Sequence, residues 1–85
     1  GGSYFTYEPD GTPHRVVAYA LGDTWWLDLQ GPTGALIAAG EVSEDEVAAA
    51  AETLIEQAPV LAKSGLRPWQ CWQQATATTS AATAA

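Results

Sequence analysis

Apolar and polar positions alternate along the first half of the chain and recur at helical spacing along the second. Ser3 to Glu8 (SYFTYE) is aromatic and favours a strand. Pro9-Asp10-Gly11-Thr12-Pro13 is a turn, since Pro presets φ, Asp bonds its own backbone and Gly supplies φ > 0. His14 to Leu21 and Thr24 to Gln30 read as a second and third strand around Gly22-Asp23, a two-residue loop suited to a primed hairpin turn. Gly31-Pro32-Thr33-Gly34 breaks the chain, and Ala35 to Ala39 is a short fourth strand.

The hairpin loop predicts a register. Leu21 pairs with Thr24, Ala20 with Trp25, Tyr19 with Trp26, Ala18 with Leu27, Val17 with Asp28 and Val16 with Leu29. Adjacent residues of a strand point to opposite faces, so Trp25 and Trp26 part company. Val16, Ala18, Ala20, Trp25, Leu27 and Leu29 form a wholly apolar face, and Trp25 is expected in the core. Arg15, Val17, Tyr19, Trp26 and Asp28 fall on the other face. Ile37 and Ala39 would join that second face, and so would Phe5 and Tyr7 in one of two registers of the first strand.

Ser43 followed by Glu46 has the spacing of a capping box, with Val42 and Val47 placed for a hydrophobic staple. Val47, Ala50, Ala51, Leu54, Ile55 and Ala58 then recur on one helical stripe. Pro59 should end or kink this helix, and Gly65 is placed to cap a short helical turn ending at Ser64. Pro68 suits the first position of a further helical segment within Leu66 to Gln74, whose Trp69 and Trp72 share a face. The predicted fold class is therefore α+β: an antiparallel three- to four-stranded β-meander with one amphipathic α-helix packed on one face, plus a short C-terminal helical segment. Residues 1–3 (Gly1-Gly2-Ser3) read as an expression scar, 4–74 as a single small domain, and 75–85 as a disordered Ala/Thr-rich tail or linker.

Composition narrows the function. The chain has 85 residues and is 47% hydrophobic, enough for one small domain of modest core. Ten acids against three bases (Arg15, Lys63 and Arg67) give a net charge of -7, which repels phosphate backbones and anionic lipid. The net negative charge therefore argues against nucleic acid as a partner. No apolar run is long enough to span a bilayer, and no basic n-region precedes an apolar stretch. The single cysteine, Cys71, allows no intramolecular disulfide, so the expected location is cytoplasmic. Alanine makes up about a fifth of the chain, a bias typical of GC-rich bacterial coding sequences.

Candidate chemistry is sparse. His14 is the only histidine and sits beside a turn without a carboxylate partner in sequence. Glu44, Asp45 and Glu46 are consecutive at a helix start, so they splay rather than converge on a metal. No catalytic residue, metal site or cofactor is expected.

The step Gly40-Glu41 and Ser43-Glu44 from meander into acidic helix resembles that of antitoxins with a partial RNase-H-like fold, over about half of the chain. That resemblance implies the alternative function, a nucleic-acid-linked regulator such as an antitoxin-like repressor, beside which stands an acidic DNA mimic. The favoured function is a non-catalytic protein–protein interaction module, accessory protein or domain of a larger protein. Its partner-binding residues would be Arg15, Tyr19, Trp26 and Asp28, with Trp69 and Trp72 second. The partner would be another protein or a second copy, and no membrane. Three coverings of the Trp26 face are open: the C-terminal segment folded back with Trp69 and Trp72, which small domains favour, a second copy, or a different partner.

Overall fold

A computed structural model describes residues 3–84, with side chains described as far as Ala77. Gly1 and Gly2, read as part of an expression scar, and Ala85 of the expected tail lie outside the described residues. Strands β1 (Tyr4–Tyr7), β2 (Arg15–Leu21), β3 (Thr24–Gln30) and β4 (Leu36–Val42) form one antiparallel sheet in sequence order. A 3₁₀ turn (Glu44–Glu46) leads into α1 (Val47–Ala62), and α2 spans Pro68–Ala84. The class is α+β, as the pattern predicts.

The β2–β3 register is the one the loop dictates, from Leu21 opposite Thr24 to Val16 opposite Leu29 and one step further to Arg15 opposite Gln30. Gly22 has φ +61°, and Asp23 keeps an ordinary negative φ, the pattern of a type II′ turn. The strand twist of such a turn matches that of the strands it joins, which fixes the pairing without help from the rest of the molecule.

Strand β1 takes the register that sends Phe5 and Tyr7 inward. Phe5 lies opposite Ala18 and Tyr7 opposite Val16, so the aromatics fill space that small and β-branched neighbours leave. Phe5 meets Trp25 with ring centroids 6.0 Å apart. Tyr4 and Thr6 consequently take the outer face. Strand β4 is longer than Ala35–Ala39 and extends to Val42, because pairing with β3 overrides the weak strand preference of alanine and glycine. A bulge between Leu29 and Gln30 of the β3–β4 ladder leaves Ile37 unpaired. Ile37 packs against the core rather than joining the Trp26 face, while Ala39, opposite Asp28, joins that face as expected.

Both helices cover the same side of the sheet. The α1 stripe of Val47, Ala51, Leu54, Ala58 and Leu61 is buried with Val16, Ala18, Leu27, Leu29 and Ala38. The helix runs through Pro59, which is exposed and so loses only a solvent-side hydrogen bond. It ends where Gly65, at φ +74°, turns the chain, with the Ser64 hydroxyl donating to the Leu61 carbonyl at 2.7 Å. The capping box is not made. Ser43 Oγ lies 2.7 Å from Asp45 Oδ1 and 3.0 Å from Glu46 Oε1, instead of accepting from a backbone amide. The tight 3₁₀ turn, closed by Glu46 N–H on the Ser43 carbonyl at 3.0 Å, takes its place.

Helix α2 opens with Pro68 at its first position, and Gln70 Oε1 accepts the Arg67 amide at 3.0 Å. Its core face is Cys71, Trp72 and Ala75, all in the same cluster as the α1 stripe. Ala75 is fully buried, and the helix continues past Gln74. The helical period is hidden there because alanine and threonine alternate with no large apolar residue to mark a stripe.

Candidate functional site

The position of Trp72 decides what is left open. A Cβ added to Gly40 would overlap the Trp72 ring, so the indole lies directly on the Gly40 backbone. Gly40 pairs with Leu27, whose side chain is in the core, so Trp72 sits on the inner face. Only 4% of Trp72 is exposed. The C-terminal segment therefore does not fold back over Trp26; it packs beside α1. Trp69, three residues earlier, is 52% exposed near the α1–α2 connection, away from the outer face. Of the six residues expected to bind a partner, Trp72 is in the core and Trp69 stands apart, while Arg15, Tyr19, Trp26 and Asp28 share the outer face.

Among the described residues, no element covers that outer face. The registers of the three ladders align Tyr4, Tyr19, Trp26 and Glu41 in one row across all four strands. The next row is Thr6, Val17, Asp28 and Ala39. Three aromatic rings thus stand on adjacent strands, each strand about 4.8 Å from the next. The hairpin pattern marks the Tyr19–Trp26 pair but neither Tyr4 nor Glu41. Tyr4 depends on the register of β1, and Glu41 on a β4 longer than its composition indicates.

Hydrogen bonds hold this surface in place. Trp26 Nε1–H donates to Asp28 Oδ1 at 2.7 Å, which pins the indole along its own strand. Arg15 Nε–H donates to Gln30 Oε1 at 2.9 Å, and its guanidinium lies 3.5 Å from Glu8 Oε1. Thr24 Oγ1 lies 3.2 Å from the Leu21 carbonyl, its nearer acceptor, and 3.4 Å from Glu41 Oε2. The Tyr19 hydroxyl is held above its ordinary pKa of 10.0, by burial first and by the Asp28 carboxylate second.

Elsewhere the chemistry is thin. A cleft of about 330 Å³ lies between the β1–β2 and β3–β4 loops, lined by Glu8, Asp10, Thr12, His14 and Arg15 among others. His14 engages Thr12, with the backbone amide donating to Thr12 Oγ1 at 3.2 Å. Cys71 is buried against the Leu61 carbonyl at 3.8 Å, which accounts for it as a packing residue. Among the described residues, no group of three or more His, Cys, Asp or Glu is placed to hold a metal ion, and no helix is long and apolar enough to cross a membrane. No family model, curated protein or solved structure matches the chain.

Proposed function

We propose that this domain is a non-catalytic interaction module that binds another protein through the open face of its sheet. The observation that carries the reading is the placement of both helices on one side. It leaves the aromatic row of Tyr4, Tyr19 and Trp26 without an intramolecular cover among the described residues. Contiguous apolar surface of this kind marks interaction sites on soluble domains. Trp, Tyr and Arg are also the side chains that dominate interface energetics, because they bury much area for few rotatable bonds. The reduced thiol of Cys71 suits a cytoplasmic setting.

The test is site-specific photo-crosslinking in living cells. A photoreactive residue at Thr6, on the outer face, should give a discrete adduct that Trp26→Ala abolishes. The same residue at Glu52, on the solvent side of α1, should give none. Equal adducts from both positions would remove the outer face as the interaction site.

A further inference from the structure

We infer that the partner presents a cationic segment, with an arginine or lysine side chain stacked on the Tyr4–Tyr19–Trp26 row and its charge met by Glu41 and Asp28. This rests on the outer face being the interface. The ring faces carry negative electrostatic potential and attract ammonium and guanidinium groups, most strongly at tryptophan. The row ends at Glu41 on β4, and Asp28 lies diagonally beside Tyr19 and on the same strand as Trp26. The bond from Trp26 Nε1–H to the Asp28 carboxylate pushes electron density toward the indole, which deepens the attraction for a cation. It also fixes the ring, so little side-chain freedom is lost on binding.

Charge complementarity selects this occupant over the others. Arg15, the one cation on the face among the described residues, is already matched by Glu8 and Gln30. The uncompensated charges that remain there are carboxylates. A second copy carries the same net charge of -7 and would bring Asp28 and Glu41 against another acidic face. A polyphosphate backbone is repelled for the same reason. A basic segment of another protein gains from both the rings and the carboxylates.

The probe is a ten-residue peptide of alternating glycine and arginine, with a glycine–glutamine peptide of equal length as control. Amide shift mapping of the whole chain should move signals at Tyr4, Val17, Tyr19, Trp26, Asp28 and Glu41, and the glutamine peptide should move none. The double variant Asp28→Asn, Glu41→Gln keeps acceptors for Trp26 and Thr24 but removes both charges. It should weaken binding about tenfold, the scale of one or two charge-assisted contacts. Trp26→Ala should weaken it comparably. Shifts centred on Glu44 to Glu46, or affinity unchanged in the double variant, would overturn the inference. So would a dimer by sedimentation that Trp26→Ala dissolves. If the arginine peptide leaves the face unmoved while the Thr6 crosslink still forms, the cationic partner is wrong and the interface stands. If neither appears, both fall.

Discussion

Three tryptophans show how much a single position decides. Trp72 is buried over Gly40, Trp25 faces inward at the margin of the core against Phe5, and Trp26 lies half-buried on the open face. Truncation to alanine should therefore cost most at Trp72, about 3–5 kcal/mol, the range for a buried aromatic. Trp25→Ala should cost less and Trp26→Ala least, read as urea midpoints with unchanged slopes. Tyr19 offers a separate check. Its folded pKa is raised, so the folded state holds the phenolic proton more tightly than the unfolded chain. That contribution is complete below the unfolded value of 10.0 and is lost as pH rises through the folded one. Tyr19→Phe should flatten the alkaline loss of stability above pH 10.0. Asp28→Asn should flatten it only in part, because burial is the larger cause.

At the scale of elements, the contact between α2 and β4 is the joint that orders the C-terminal helix. Gly40→Ala puts a methyl into the Trp72 ring and should destabilise by about 1–3 kcal/mol, the usual cost of overpacking. In a Trp72→Ala background the same change should be nearly silent, and a double-mutant cycle measures that difference. Ser43→Ala should cost under about 0.5 kcal/mol, below the usual N-cap loss, since Ser43 bonds carboxylates and no amide. Truncation after Gln74 should lower the midpoint, because it removes buried Ala75. These elements are unequally legible in the sequence. The Gly22-Asp23 loop dictates the β2–β3 register, and the Val47-to-Ala58 stripe marks α1, because both signals are local. The start of α2 at Pro68 is legible, but its extension past Gln74 is not, because its inward face is marked by Cys71, Trp72 and Ala75, and two of these are small. Nor is the notch at Gly40, since a glycine in a strand signals close approach without naming what approaches. The β1 register needs the inward packing of Phe5 and Tyr7, a tertiary fact.

For the whole molecule, the consequence is a division between two faces of one sheet. Val16, Ala18, Leu27 and Leu29 lie on the helix side, fully buried. Tyr4, Thr6, Val17, Tyr19 and Trp26 lie on the other side with no element across them among the described residues. Apart from Arg15, the cations lie away from that side: Lys63 and Arg67 flank the α1–α2 connection near exposed Leu66 and Trp69. An uncovered face is the premise of the interaction reading, and it is open to direct measurement in dilute solution. A soluble gadolinium chelate broadens the NMR signals of side chains that solvent can reach. Broadening of Thr6, Val17 and Tyr19 with sharp signals from Val16, Ala18, Leu27 and Leu29 is the expected result. Signals from Thr6, Val17 and Tyr19 as sharp as those of the core would mean that something already covers the face, and would contradict the premise.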